Sequence, residues 1–315
     1  MSAIHQLGLS DYVFKLQGRP LSETQRQTSE SFGYKWSRQE TYVSDVVQER
    51  TRKWLLERYC GNDGSTLERW LDGGRKIILD AGCGSGFTAM LLFGNYLRSH
   101  DYLGIDISNA MNVGRKRFEQ AGIQGEFIQG DISTIPIPPE SIDIIYSEGV
   151  LHHTDSVRDS LLHLSSLLKK GGRFLFYVYL KKGAVREFTD DHIRKEISSR
   201  SDEEAWNMIL PLTKLGQALG KTNMEITVPE DIPYLGIPKG KIPLQRLFYW
   251  YFCKMFYDPD MSIPEMNHIN FDWFRPLNCH RHSEDEIVSY CAEAGLAIER
   301  KDIQQSGITI VAVKA

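Results

Sequence analysis

Lys76-Ile77-Ile78-Leu79-Asp80-Ala81-Gly82-Cys83-Gly84-Ser85-Gly86 is the stretch from which the fold can be read. Apolar side chains that do not alternate and that stop at a carboxylate mark a strand covered on both faces, as in a parallel sheet between helix layers. Glycine at 82, 84 and 86 permits a sharp turn and a close approach of backbone to ligand, because no Cβ stands in the way. A helix over 87–97 follows. Strand, turn and helix together form a nucleotide-type site at the carboxyl edge of an open sheet. A dinucleotide fingerprint would need a third glycine where the chain has Phe87, and no Gly-Lys-Ser/Thr ending supplies a phosphate-cradling loop.

Outward from this turn, four more strands follow in order. Asp101 to Asp106 ends in an acid 20 residues beyond Gly86, close to the separation of a carboxylate that grips ribose hydroxyls. Gly125 to Ile132 holds a strand ending at Asp131, and Ser141 to Glu148 holds the next, entering the turn Gly149-Val150-Leu151-His152-His153. Gly172 to Tyr179 is the fifth. The pattern Asp-x-Gly-x-Gly-x-Gly, followed by acids at these intervals, resembles the class I S-adenosylmethionine-dependent methyltransferases over residues 76–180 and 283–315.

That resemblance implies an α/β fold: a doubly wound, seven-stranded, mostly parallel sheet with a final antiparallel hairpin strand, plus an aromatic-rich lid insert. It implies S-adenosyl-L-methionine as cofactor. Asp106 would hold the ribose and Asp131 the adenine amino group, with Ile107 and Ile132 beside them. Asp80, Gly82, Cys83, Gly84, Gly86, Ser147 and Glu148 would line the rest of the cofactor, and the glycine-turn amides would bind its carboxylate. The Phe-Gly-x-x-Trp segment Phe32 to Trp36 would place Trp36 over the pocket; read from composition alone, it is a hydrophobic clip pinning an arm to the core. A cationic sulfonium without phosphate suits a site edged by acids rather than by Lys or Arg.

The organisation expected is an N-terminal arm and helices over 1–75, a cofactor-binding core over 76–180, a lid or substrate insert over 181–282 and the end of the core over 283–315. Residues 1–38 are polar and read as an extended arm, followed by a helical pattern from Glu40 to Cys60. Ser65-Thr66-Leu67-Glu68 has the form of a capping box, as does Ser283 with Glu286. Pro136, Pro138 and Pro139 leave a loop between the third and fourth strands.

The 315 residues carry a net charge of −4, which provides no basic footprint for nucleic acid or an anionic membrane. Five cysteines without a Cys-x-x-Cys pair argue against a disulfide framework or zinc knuckle, and no apolar run reaches the length of a membrane span, so the cytoplasm is the expected compartment. The insert holds 14 Lys/Arg against 14 Asp/Glu. Its aromatic stretch Leu244 to Tyr257 reads as a helix apolar on nearly every face, to be buried as core, to line an acceptor pocket or to support a homodimer.

His152 and His153, at the edge of the expected methyl channel, are the catalytic candidates, since a neutral imidazole accepts a proton near pH 7. Tyr34, His268 and Trp273 are the substrate-side candidates. No histidine set has metal-ligand spacing. Three functions remain open: transfer of a methyl group to a small-molecule O, N or C acceptor, transfer to RNA or protein, and a catalytically silent cofactor-binding module. The Ser147-Glu148-Gly149-Val150 segment is not the Asn/Asp-Pro-Pro-Tyr/Phe motif of base-amine methylation.

Overall fold

The computed structural model describes residues 3–9 and 21–315. Its centre is a seven-stranded sheet of β1 (Ile77–Ala81), β2 (Asp101–Asp106), β3 (Glu126–Gln129), β4 (Ile142–Glu148), β5 (Leu168–Tyr179), β8 (Leu296–Ile303) and β9 (Gly307–Lys314), in the order β3-β2-β1-β4-β5-β9-β8. The first five strands run parallel, and β9 is antiparallel to both β5 and β8. This is the doubly wound sheet expected. The chain leaves β1 in one direction for β2 and β3 and returns on its other side as β4 and β5, so a crevice opens where β1 and β4 meet, at their carboxyl ends.

Every residue of β1 is buried, and its side chains divide between two cores. Leu79 packs with Leu103, Ile145 and the Leu161, Leu164 and Leu167 stripe of α7 (Val157–Leu167), while Ile78 packs with Leu92, Phe93 and Phe118 on the opposite face. Helices α3 (Asp45–Leu55), α5 (Phe87–Phe93), α6 (Met111–Gln120) and α12 (Glu284–Glu293) complete the layers. Ser283 and Glu286 close the expected capping box on α12. The box at Ser65 does not form: Ser65 lies inside the first turn of α4 (Ser65–Leu71), and the Asp63 carboxylate accepts from its amide instead. Beyond α1 (Ala3–Gln6), Ser10 to Pro20 lies outside the described residues.

The expected extended arm is in large part the helix α2 (Glu23–Ser37), capped by Ser22, whose Oγ accepts from the Gln25 amide. Its buried residues are Gln25, Thr28, Ser31 and Lys35, a helical stripe of polar side chains. Such a face bonds rather than packs: Gln27 donates to the Arg275 carbonyl, Ser31 to Asp202, and Lys35 pairs with Asp272. A search for apolar periodicity passes over it.

The insert contributes α8 (Ala184–Ile197), α9 (Asp202–Lys221), a hairpin of β6 (Glu225–Val228) and β7 (Gly240–Pro243), α10 (Leu244–Tyr251) and α11 (Ile263–Phe274). The helix expected over Leu244 to Tyr257 ends at Tyr251, and residues 252–257 run without regular structure along the Thr213, Asn267 and Asn270 network, where the Phe256 amide donates to Asn270. Trp206, Ile209, Met255, Phe271 and Trp273 form a core with Tyr177 and Tyr179 at the end of β5. The insert therefore sits on the carboxyl edge of the sheet. No helix among the described residues is long and apolar enough to cross a membrane.

Candidate active site

The glycine turn closes upon itself. The amides of Gly82 and Cys83 both donate to the Ile105 carbonyl, at 2.8 and 2.9 Å, that of Gly84 to Asp106 Oδ2 at 2.7 Å and that of Gly86 to the Cys83 carbonyl at 2.7 Å. These four donors are already engaged within the protein. What the turn offers is bare backbone. Gly82 has φ +88°, and a Cβ there would overlap Val150; a Cβ on Gly84 would stand 2.8 Å from Nε1 of Trp36, whose indole lies on the turn.

Three strand-end acids face a cavity of about 1120 Å³. Asp106, only 7% exposed, accepts from Gly84 through Oδ2 and from the Ser108 amide and hydroxyl through Oδ1, at 2.8 and 2.6 Å. A carboxylate accepts about four hydrogen bonds, so one site remains. Burial pushes its carboxyl above the ordinary value, against these bonds. Asp131 accepts from the Ser133 amide and hydroxyl through Oδ1. Glu148 is held by Arg58 Nη2 and the Tyr59 hydroxyl, each at 2.6 Å.

Trp36, Gly82, Asp106, Ile107, Asp131, Ile132, Glu148, His153 and His268 line this cavity. Eight other expected residues do not. Asp80 points into the packing, where it accepts from the Tyr102 hydroxyl at 2.6 Å and burial pushes its pKa up to about 7. Ser147 donates to the Ala81 carbonyl, Cys83 is buried beneath the turn, and Gly84 and Gly86 meet Trp36 and Phe118. Tyr34 packs on Phe271 and Trp206, and Trp273 donates to Asp190 at 2.8 Å. His152 is buried against Tyr179, with ring centroids 3.7 Å apart, and neither nitrogen has a partner.

His153 is placed differently. Its Nδ1 lies 2.6 Å from the Asn278 carbonyl, an acceptor, so Nδ1 carries the hydrogen and Nε2 the lone pair, and Nε2 has no partner. Burial lowers its pKa to about 4, against the opposing pull of Asp272 and Asn278, and keeps the ring neutral at pH 7. His268 follows the same logic: Thr41 spends its hydroxyl hydrogen on the Arg38 carbonyl, so its Oγ1 accepts from His268 Nδ1 at 2.7 Å.

Opposite the turn, Asp272 pairs with Lys35 and accepts from the Tyr179 hydroxyl at 2.6 Å. Although burial acts to raise it, Lys35, His153 and Lys254 together hold its carboxyl well below the usual range. Sequence reasoning missed this group, since Lys35 and Asp272 stand 237 positions apart. The aromatics flanking Lys35 were the only signal.

Bare glycine backbone, a buried acid with a free acceptor site at the end of β2, and strand ends where Arg58 and Lys35 are already paired fit a ribose-bearing, phosphate-free, cationic cofactor. A family model described as a methyltransferase domain matches residues 79–176, from β1 into β5. An uncharacterized methyltransferase of Bacillus subtilis (strain 168) is 34% identical over 172 residues, which are 52% of this chain and 67% of that one. A malonyl-acyl-carrier-protein O-methyltransferase of Serratia marcescens is 28% identical over 59% of this chain and 72% of its own length. A fatty-acid O-methyltransferase of Mycolicibacterium smegmatis is 32% identical, but the chain spans 36% of its length. The similarity to the Bacillus protein extends well past the matched domain, and together with the order of the sheet it places the chain in the class I S-adenosylmethionine-dependent methyltransferases, enzymes whose cofactor and methyl donor is S-adenosylmethionine.

Proposed function

We propose that this methyltransferase acts on a small acceptor enclosed between the sheet edge and the insert. The observation that carries this reading is the cavity: one continuous space runs from Asp106 and Asp131 to Phe256 and Ile269 of the insert, roofed by Phe32 and Trp36 of α2. A volume near 1120 Å³ exceeds the range usual for one ligand and suits cofactor and acceptor together.

S-adenosylmethionine supplies an activated methyl group on a sulfonium, open to in-line displacement. The chain has to hold, align and keep dry. Asp106 and Asp131 would fix the ribose and adenine, and Gly82 with Val150 would bring the donor close to the carboxyl ends of β1 and β4. His153 would shape the wall of the cavity with a neutral ring, since its Nε2 is buried in the packing. Phe32, Trp36 and the insert would cover the site and set specificity.

The test is transfer from methyl-labelled S-adenosylmethionine to a cell extract divided by size. Label in the low-mass fraction, lost when α2 and the insert can no longer close over the cavity, is the expected result. Label confined to protein or RNA would overturn the small-acceptor reading, and binding without any transfer would favour the silent module.

A further inference from the structure

We propose that the acceptor carries a carboxylate that binds the ammonium of Lys254, in the insert's wall of the cavity. The inference rests on the small-acceptor reading above and names the substrate class.

Lys254 follows α10 and is only 6% exposed, yet it lines the cavity. Its backbone amide is anchored to Asp190 Oδ1 at 3.0 Å. Its Nζ has no hydrogen-bond or ion-pair partner among the described residues; it stands 5.0 Å from the Trp273 ring centroid, with the Asp272 and Asp190 carboxylates favouring its charged form from farther off. The acids around it are engaged elsewhere. Asp272 belongs to Lys35 and Tyr179, and Asp190 takes the Arg186 guanidinium and the Trp273 indole N–H. Arg186 and Lys182 add like charge nearby, and Lys182 is itself occupied by the carbonyls of Gln305 and Ser306.

An unpaired buried ammonium is costly, and such groups occur where a ligand completes them. Burial pulls Lys254 down to about 8, which leaves it mostly charged at pH 7. The single ammonium of Lys254 is matched by one carboxylate. Tyr249, Trp250 and Phe256 in the same wall suit an apolar or aromatic body behind the carboxylate.

The experiment uses the full chain saturated with S-adenosylhomocysteine at pH 7. Phenylacetate and octanoate are titrated calorimetrically beside their neutral amides, phenylacetamide and octanamide. The acids should bind at least about tenfold more tightly than the amides, the factor expected for a hydrogen bond to a charged group. Lys254→Met should abolish this preference and leave S-adenosylhomocysteine affinity unchanged; Lys254→Arg should retain the preference.

Equal binding of acid and amide, no binding of either acid, or a preference that survives in Lys254→Met overturns the proposal. The acid and amide comparison in the unaltered chain decides the matter even where a variant does not fold. Labelled transfer to a neutral small molecule would remove this inference and leave the small-acceptor reading standing; label found only on macromolecules would remove both.

Discussion

On the sheet side of the cavity, each buried charge has its partner within the protein. Glu148 has Arg58 and Tyr59, and Asp106 has Ser108 and the Gly84 amide. On the insert side, Lys254 has no hydrogen-bonding partner among the described residues. Apart from the one acceptor site left on Asp106, the sheet edge is complete before any ligand arrives; the insert wall is not. A finished edge suits a cofactor that is the same in every turnover, and an unfinished wall suits recognition of a particular acceptor.

The comparison can be broken most forcefully at Arg58. The guanidinium is fully buried between the rings of Trp54 and Tyr177, 3.3 and 4.4 Å from their centroids, and is bonded to Glu148. Arg58→Met strands a buried carboxylate and should cost about 3–5 kcal/mol in denaturant unfolding. A loss under about 1 kcal/mol would mean that the edge is not a finished structural unit.

Acid should act next. Burial depresses His152, His153 and His268, so below the ordinary histidine value of 6.5 the folded chain binds fewer protons than the unfolded one. Stability is then fully present above about pH 6.5 and is lost as pH falls toward 4, by about 3 kcal/mol for His153 alone. Asp80, raised to about 7, acts in the opposite sense: its contribution is present at low pH and lost as pH rises through 7. Asp106, also raised by burial, acts with Asp80; three imidazoles against two carboxyls should leave a net fall in the denaturation midpoint between pH 7 and 5, and a flat profile would contradict this assignment.

Asp106→Ala sharpens the comparison on the cofactor side. S-adenosylhomocysteine affinity should fall by about 1.5–3 kcal/mol, measured by calorimetry, through loss of a charge-assisted bond and of the support for the Gly84 amide. Equal affinity would remove Asp106 from the site. The smallest effect belongs to Tyr234, 92% exposed between β6 and β7. Tyr234→Ser should change stability by no more than about 0.5 kcal/mol and leave the measured mass unaltered; a dimer that falls apart in this variant would reveal an interface on that hairpin.

The sheet was legible because its cause is local. Runs such as Ile77 to Leu79 and Phe174 to Val178 are buried on both faces, and a double burial leaves a pattern that no neighbour is needed to interpret. The same holds for Gly82, whose left-handed φ and lack of side chain are demanded by the turn itself. The helix α2 was not legible, since its inward stripe of Gln25, Thr28, Ser31 and Lys35 is polar and acquires a reason only from Asp202, Arg275 and Asp272. The aromatic run after Leu244 misled for a related reason: its side chains are mostly apolar, and beyond Tyr251, where the helix ends, the amides of Lys254 and Phe256 donate to Asp190 and Asn270, far away in the chain or on another helix.

Among the acids, position along the strand named the right neighbourhood but not the direction of each side chain. Asp80 and Asp106 both stand at strand ends, yet one bonds Tyr102 beneath the sheet edge and the other faces the cavity, a difference set by which side of the pleat each Cβ leaves from and by what waits there. His152 and His153 divide in the same way, one against Tyr179 and one into the cavity. The amino-acid sequence by itself determined the α/β sheet, the glycine turn and the class of cofactor, because strand burial and backbone freedom are properties of short segments. Only the tertiary structure decided which histidine lines the cavity, that Lys35 and Asp272 meet, and that Lys254 has no hydrogen-bonding partner among the described residues, because such placement depends on distances between residues far apart in the chain.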